Sequence, residues 1–172
     1  MKKIISSLFV AGALIGLASC EKEEIGGTAV QDMCGEWIVT ADAVDANGNV
    51  VYEDPYGAGV FELYTYNTNA NLSTEMYVDD FGSFWDFRII VNVDYAAKTF
   101  NATGAIDDYW DISVDVKDGA IVKNGTKSPA GYVADSISFK ILFEDDDNAA
   151  DGEYAYLWIH GYRRTGLDGG YD

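Results

Sequence analysis

The sequence predicts an all-β fold, a single antiparallel β-barrel of about eight strands, from three observations. Apolar and polar residues alternate along most segments after residue 27, which is the period of a strand with one buried face. Turn signals rich in Gly, Asn and Asp separate these segments. Beyond the N-terminal region no stretch of about 12 residues has a helical period. A sandwich fits the same pattern, but closure into a barrel removes the strand edges through which molecules aggregate.

Four segments carry the alternation most clearly. They cover residues 85–95, 110–117, 136–144 and 154–162. After the second segment, Asp118-Gly119 predicts a tight hairpin turn, from which a short antiparallel strand returns. In the last segment His160 shares one face with aromatic residues, and that face is interpreted as either the barrel interior or its outer surface.

Shorter strands complete the predicted barrel, which forms one domain over residues 28–166. These strands are expected at Gly35–Ala43, Val50–Tyr52, Gly59–Tyr66, Thr74–Val78 and Thr99–Ala105. Turns are expected at Asn47-Gly48, Asp54-Pro55, Asp80-Phe81-Gly82, Asn124-Gly125 and Asp145 to Gly152.

The N-terminal residues indicate secretion and lipid attachment. Residues 1–19 combine two lysines with an apolar run that is too short to span a membrane as a mature helix, so they are interpreted as a signal peptide. Leu17-Ala18-Ser19-Cys20 resembles the lipobox of bacterial lipoproteins, which implies cleavage before Cys20 and acylation of that residue. Residues 20–27 are expected to form a flexible lipidated tether, and residues 167–172 a C-terminal tail.

The tether also suggests which side of the envelope the domain faces. Glu21-Lys22-Glu23-Glu24 is similar to the surface-export signal of lipoproteins from a phylum of Gram-negative gut bacteria. The expected location is therefore the outer membrane, with the domain lipid-anchored and exposed at the cell surface. Three acyl chains would hold it firmly, because each buried methylene contributes roughly 0.8 kcal/mol.

Charge and cysteine content exclude several classes of function. Residues 1–19 hold two of the 11 basic residues and none of the 29 acidic ones, so the mature chain has a formal charge of −20. Such a chain repels a phosphate backbone, which excludes nucleic acid as a partner. With Cys20 acylated, Cys34 has no cysteine to pair with, and it is interpreted as a buried structural thiol.

Two motifs at the ends of the domain resemble a known family. Gly35-Glu36-Trp37 opens the first strand, and His160-Gly161-Tyr162-Arg163-Arg164-Thr165-Gly166 ends the last. Lipocalin-like barrels begin with Gly-x-Trp and carry a late Arg that packs over the Trp. With the lipobox, these motifs resemble the lipid-binding putative hydrolase family of lipocalin-like bacterial lipoproteins over roughly residues 26–166. The resemblance implies that Trp37 closes the barrel base beneath Arg163 or Arg164.

Catalysis and metal binding have little support in the residues. No Gly-x-Ser-x-Gly turn occurs, and His160 is the only histidine, so any hydrolase mechanism with a His base must use it. The acidic run at 144–147, with Asp151 and Glu153, lacks the spacing of an EF-hand and is interpreted as a solvated hairpin. No metal and no cofactor are predicted.

The function predicted from these observations is a lipid-anchored barrel that binds a small apolar ligand, such as a lipid or fatty acid. Apolar strand faces would line the interior, and the predicted ligand-binding residues are Trp85, Phe87, Ile89, Val91, Trp110, Ile112, Val114, Phe139 and Ile141. The alternation does not distinguish a lined cavity from a filled core. A second hypothesis is a solid barrel that binds glycan or an envelope protein partner through outer aromatics of the Tyr52 to Tyr77 region and through the acidic loops. A hydrolase that uses His160 is the third.

Overall fold

A computed structural model describes residues 26–166 of the chain. The expected signal peptide, Cys20, most of the tether and the tail at 167–172 lie outside the described residues. Nine strands make up nearly all of the regular structure: β1 (Gly35–Val44), β2 (Val50–Glu53), β3 (Phe61–Tyr66), β4 (Glu75–Asp79), β5 (Arg88–Asp94), β6 (Thr99–Ile106), β7 (Ser113–Lys127), β8 (Val133–Phe143) and β9 (Tyr156–Arg163). The helical elements are a 3-10 turn, Gln31–Met33, and a single helical turn, α1 (Asp147–Ala150). No described helix is long and apolar enough to cross a membrane.

Eight of the strands close into an antiparallel barrel, which confirms the predicted fold class. Strands β3 to β9 pair in sequence order, and β9 then pairs with β1 along its length, from Trp37 opposite Arg163 to Val44 opposite Tyr156. On its other edge β1 pairs with β3 through its first half and with the short β2 through its last residues. Strand β2 is therefore a flap beside the barrel, and its side chains are exposed.

Alternation along the strands places one contiguous apolar core inside the barrel. In β8, for example, Ile137, Phe139 and Ile141 are 0–1% exposed, whereas the residues between them are half-buried. Because every barrel strand contributes such a face, the inward side chains form a single cluster. The alternation of apolar and polar residues along each strand thus specifies which side chains face the core.

The predicted hairpin at Asp118-Gly119 is wrong, because β7 runs straight through it. Asp118 has a positive φ of 54°, and the register with β8 shifts there, which is the signature of a β-bulge. A Cβ at Gly119 would lie 2.5 Å from the backbone and ring of Phe100, so only glycine fits at this point of the bulge. Asn124-Gly125, also predicted as a turn, is a second bulge in the same strand.

The strand predicted from residue 85 begins later in the structure. Asp86 has φ 61°, so Trp85 and Asp86 belong to the loop before β5. Similarly, Asp111 has φ 59°, and β7 begins only at Ser113. A left-handed residue interrupts the pleat in both places, although the apolar pattern continues across it.

The barrel has two ends, which we call the base and the mouth. The base is the end at which Trp37 and Arg163 pair, and it includes residues 26–34, 67–74, 95–98, 119–134 and 164–166. The mouth is the opposite end, formed by the connections 45–60, 80–87, 107–112 and 144–155.

Candidate functional site

The barrel interior contains six of the nine residues predicted to bind ligand. These are 0–1% exposed and point inward: Phe87, Ile89, Val91, Val114, Phe139 and Ile141. Trp85 and Ile112 lie at the mouth, partly buried against the core. Trp110 is 60% exposed and does not line the interior, because the turn at Asp111 separates it from the alternation of β7. Ligand contact by these residues stays a prediction.

The inward side chains fill much of the space between the strands. Phe100 and Phe139 pack together in the half of the barrel nearest the base, with ring centroids 5.5 Å apart. Phe87 and Phe143 pack together in the half nearest the mouth, with ring centroids 5.3 Å apart. Such aromatic pairs contribute about 0.5–1.5 kcal/mol each beyond the burial of their area. An apolar guest therefore competes with side chains that already contact one another.

The base is closed by Trp37 and Arg163. Arg163 lies over the Trp37 ring, with its guanidinium carbon 4.7 Å from the ring centroid. Its two terminal nitrogens donate to the backbone oxygens of Cys34 (2.7 Å) and Asp32 (3.0 Å), which ties the 3-10 turn across the end of the barrel. A Cβ at Gly35 would lie 3.2 Å from the guanidinium, so the glycine of Gly-x-Trp leaves room for this contact.

Hydrogen bonds below the ring complete the closure of the base. The Trp37 Nε1–H donates to Thr65 Oγ1 at 2.9 Å, and the Thr65 hydroxyl donates to the Met33 oxygen at 2.5 Å. Arg164 pairs with Glu36 and Glu62. Of the two arginines that the resemblance left open, Arg163 is the one that contacts Trp37.

The mouth is closed differently, by aromatic side chains from its loops. Phe84 stacks on Phe61, with ring centroids 4.8 Å apart, and Trp85 stacks on Phe143 at 4.7 Å with the planes 3° from parallel. Tyr56 packs edge-on against Trp85 at 4.9 Å. We call Phe84 and Trp85 the lid, because both come from the loop between β4 and β5 and both rest on the core.

A buried carboxylate holds the loop that carries the lid. Asp80 is 0% exposed, and its two oxygens accept five backbone N–H groups at 2.8–3.0 Å. The donors belong to the loop that follows it: Gly82, Phe84, Trp85, Asp86 and Phe87. The charge of Asp80 thereby replaces the strand pairing that this loop lacks.

A second carboxylate ties two other mouth loops together. Asp146 is 2% exposed and accepts hydrogen bonds from the hydroxyls of Tyr56 and Tyr154, both at 2.7 Å. It also caps α1 by accepting from the Ala149 N–H at 3.2 Å. Burial raises the pKa of Tyr154 far above its usual range, and the hydrogen bond to Asp146 is the second largest cause of this shift. Burial likewise raises the pKa of Tyr56.

The outer face of β3 to β5 carries an aromatic patch, which we define as Tyr64, Tyr66, Tyr77, Phe81 and Tyr109. Neighbouring rings of the patch lie 4.9–6.4 Å apart, from Tyr64 through Phe81 and Tyr66 to Tyr77. Arg88 lies over the rings of Tyr77 and Tyr109, at 5.6 and 5.1 Å from their centroids.

The carboxylate of Asp79 lies beneath the aromatic patch. It is 0% exposed and accepts from the Tyr66 hydroxyl at 2.6 Å and the Phe81 N–H at 2.8 Å. Burial raises the pKa of Tyr66, and the hydrogen bond to Asp79 is the second largest cause of this shift. The Tyr64 hydroxyl instead donates to Glu62, and this hydrogen bond raises the pKa of Tyr64 to about 12.

His160 lies on the outer surface of the barrel, not in its interior. Its ring stacks on Trp158 at 3.9 Å, and its Nε2 lies 3.0 Å from Asp42 Oδ2 and 3.4 Å from Thr40 Oγ1. These neighbours position the imidazole against β1, and about two thirds of its side chain is covered. Through these contacts His160 links β9 to β1 on the outer surface of the barrel.

The acidic loop and Cys34 both have structural partners. Glu144 accepts from the Ser113 N–H at 2.9 Å, and Asp145 accepts from the Trp85 indole at 3.1 Å. Within residues 26–166, no group of three or more His, Cys, Asp or Glu residues is arranged to hold a metal ion. Cys34 is half-buried, and its thiol donates to the Val30 oxygen at 3.3 Å.

Of the residues that build the mouth, the sequence pattern indicates Trp85 and Ile112 but not the others. Phe84 falls between two predicted strands, and Asp80 is predicted to lie in a turn. The one available signal for Asp80 was an aspartate followed directly by a glycine-containing loop, which is the setting of an Asx-type acceptor. Tyr56, Asp146 and Tyr154 belong to loops as far apart as 98 residues, so no local pattern links them.

Comparison with known protein families gives a match over most of the chain. The model of a family described as lipid-binding putative hydrolase matches residues 22–168, which is most of the chain. No curated protein matches the chain.

Proposed function

Because the chain belongs to the lipid-binding putative hydrolase family, we propose that it is a lipid-anchored envelope lipoprotein whose barrel binds one lipid or fatty acid. The observation that carries the proposal is the unequal closure of the barrel. A guanidinium tied to the backbone seals the base, whereas two loop side chains cover the mouth. The mouth is therefore the entrance, and the lid is the gate.

Energetics favour an acyl chain as the guest. Displacing the lid breaks the two stacked pairs and the edge contact of Trp85 with Tyr56, at about 0.5–1.5 kcal/mol each beyond the area they bury. Each methylene buried in their place contributes about 0.8 kcal/mol. A chain of roughly ten methylenes contributes about 8 kcal/mol and therefore outweighs these aromatic contacts.

The half of the barrel interior nearest the mouth, which we call the upper interior, is the proposed contact surface for the acyl chain. Phe87, Ile89 and Val114 point inward on the mouth side of the barrel, beneath the lid. Trp85 is proposed to swing from Phe143 when the ligand enters, and Ile112 then lines the rim. Trp110 is left out of the site because of its exposure.

Native mass spectrometry on the domain from Gly26 onward, followed by organic extraction, tests this proposal. A co-purifying fatty acid or similar amphiphile is expected, and Val114→Trp should abolish it by filling the upper interior. Val122→Trp is the matched control, because Val122 lies on the same strand but is 53% exposed. A clean apo mass that also takes up no palmitate would contradict the carrier function.

The anchor and location form a separate part of the proposal. The lipobox resemblance at Leu17–Cys20 supports lipid attachment, and the acidic segment after it supports export to the cell surface. Metabolic labelling with a palmitate analogue, compared between the natural chain and Cys20→Ala, tests the anchor. Protease shaving of intact cells tests the surface location, since only an outward-facing domain is cleaved.

The aromatic patch supports a second candidate function, recognition of a glycan or an envelope protein partner. Phe81 is 61% exposed and Tyr109 38%, so the patch offers ring faces to solvent beside Arg88 and Glu62. Aromatic faces flanked by hydrogen-bonding groups are well suited to sugars. Binding to a glycan array that is lost in Phe81→Ala, with Trp110→Ala as an exposed control, would support this function.

A further inference from the structure

The two ends of the barrel differ sharply in charge. The four mouth connections, 45–60, 80–87, 107–112 and 144–155, contain 14 carboxylates and no Lys or Arg. The five base segments contain one carboxylate, Asp32, and four basic residues. Carboxylates at the adjoining strand ends, Glu36, Glu75, Asp94 and Asp135, reduce this contrast without reversing it, since Glu36 pairs with Arg164 and Asp135 with Arg163. In a chain this acidic, the base is where a negatively charged surface meets the least repulsion.

Exposed apolar side chains occur at the base beside these basic residues. We call the exposed residues of 67–74, 95–98 and 119–134 the base surface. Leu72 is 50% exposed, Tyr132 51% and Val133 58%. The hairpin formed by β7 and β8 projects beyond the level of Trp37, because its pairing continues to Lys127 opposite Val133. Apolar tips flanked by lysines are typical of surfaces that enter a lipid headgroup layer.

A cleft of about 230 Å³ opens in the base beside this hairpin. Three basic side chains line it, and two are paired: Lys98 with Asp32 at 3.1 Å and Arg163 with Asp135 at 3.1 Å. Lys123 has no carboxylate partner within 4.0 Å among residues 26–166. Its ammonium is therefore available to a phosphate oxygen.

The chain also enters the domain at the base. The Ala29 N–H donates to Asn71 in the base loop 67–74 at 2.9 Å, which places the N-terminal residues at this end. Only five residues lie between Cys20 and Gly26, so these two residues are at most about 20 Å apart. If Cys20 carries lipid, the base is the end of the barrel nearest the bilayer.

From these observations we propose that the base surface lies on the phosphate-bearing headgroup layer of the membrane that holds the anchor. Leu72, Tyr132 and Val133 enter the layer, and Lys123 and Lys127 contact its phosphates. The acidic mouth then points away from the bilayer, so the lid opens toward the surrounding medium. This proposal rests on the lipid anchor of the proposed function.

Hydroxyl-radical footprinting of the lipidated protein in vesicles of phosphatidylethanolamine and phosphatidylglycerol tests the orientation. The reference is the mature chain with Cys20→Ser, which carries no lipid, in the absence of vesicles. Oxidation of Leu72, Tyr132 and Val133 should be several-fold lower in vesicles than in the reference. Phe81, Val60 and Trp110 are similarly exposed at the mouth, so their oxidation should be unchanged.

A pair of variants then tests whether the base surface itself makes the contact. Val133→Glu should restore oxidation of Tyr132 in vesicles, because a carboxylate is expelled from the headgroup layer. Val60→Glu is the matched control, since Val60 is 56% exposed at the opposite end, and it should leave the footprint unchanged.

Three results would overturn the orientation. The first is equal oxidation of base residues in vesicles and in the reference while the protein stays vesicle-bound. The second is protection of the mouth residues instead. The third is protection of the base in the unlipidated chain that rises with protein concentration, which would assign the surface to a second copy. The mass of the N-terminal peptide is read in the same experiment, and a missing acyl mass overturns the anchor as well.

Discussion

The base and the mouth of this barrel are both closed by aromatic rings, but only the base closure is part of the strand framework. Trp37 and Arg163 lie on paired strands, so their contact is fixed by the register of β1 against β9. Phe84 and Trp85 lie on a loop whose conformation depends on one carboxylate, Asp80. A closure built on strands can open only when the barrel unfolds, whereas a loop can move while the barrel stays intact. We therefore expect mutations at the two ends to separate stability from ligand exchange.

The largest effect is expected at the base, from Trp37→Ala. The indole is fully buried and carries both the Arg163 contact and the hydrogen bond to Thr65. Removing such a side chain costs about 3–5 kcal/mol of unfolding free energy. Urea denaturation followed by circular dichroism measures this loss. A loss below 1 kcal/mol would mean that the base is not a structural closure.

A smaller loss, concentrated at the mouth, is expected for Asp80→Asn. One carboxylate oxygen becomes an NH2 group that cannot accept from the backbone N–H groups facing it. Some of the five hydrogen bonds that Asp80 accepts are therefore lost. Unsatisfied buried donors cost about 1–3 kcal/mol. Hydrogen exchange should rise at residues 81–87 and stay unchanged at 31–37. Equal increases at both ends would show that the loop and the barrel open as one unit.

The sequence predicts only part of this difference between the base and the mouth. Alternation predicted the inward residues of β5, β7 and β8, because burial repeats every second residue wherever a strand is regular. Asp118-Gly119 and Asn124-Gly125 were read as turns, yet both are bulges, since those residue types indicate only that a positive φ is tolerated. Whether the chain reverses there depends on neighbouring strands, such as the close approach of Phe100 to Gly119.

The mouth was the least predictable part of the molecule for a related physical reason. Its closure depends on side chains that meet across loops, such as Tyr56 with Asp146 and Trp85 with Asp145. The run of carboxylates at 144–147 was interpreted as solvated, but Asp146 is buried and receives two tyrosine hydroxyls. Composition does not distinguish an acidic loop that faces water from one that accepts hydrogen bonds.

The third prediction compares the two adjacent arginines at the base. Arg163→Lys should lower the unfolding free energy by about 2 kcal/mol, because an ammonium cannot stack on Trp37 and donate to two backbone oxygens together. Arg164→Lys should change it by less than about 0.5 kcal/mol, since its ion pairs are on the surface. Thermal melts of both variants measure the difference. Similar losses in the two would remove the special role of Arg163.

The smallest effect is expected at the mouth under alkaline conditions. Burial and Asp146 raise the pKa of Tyr154, so the folded chain keeps that proton above pH 10, where an unfolded tyrosine loses it. The unfolded state then binds fewer protons than the folded one, and stability falls as the pH rises above 10. At pH 11 the loss from this residue is about 1.4 kcal/mol.

Tyr154→Phe removes this titration and serves as the comparison for the natural chain. The difference in unfolding free energy between the two should narrow by about 1.4 kcal/mol between pH 9 and pH 11, because only the natural chain loses the contribution of Tyr154. Absorbance of tyrosinate at 295 nm should show one late-ionising group fewer in the variant. An unchanged difference would mean that water reaches Tyr154 through an open mouth. The lid would then rest on the core more loosely than the stacking of Trp85 on Phe143 implies.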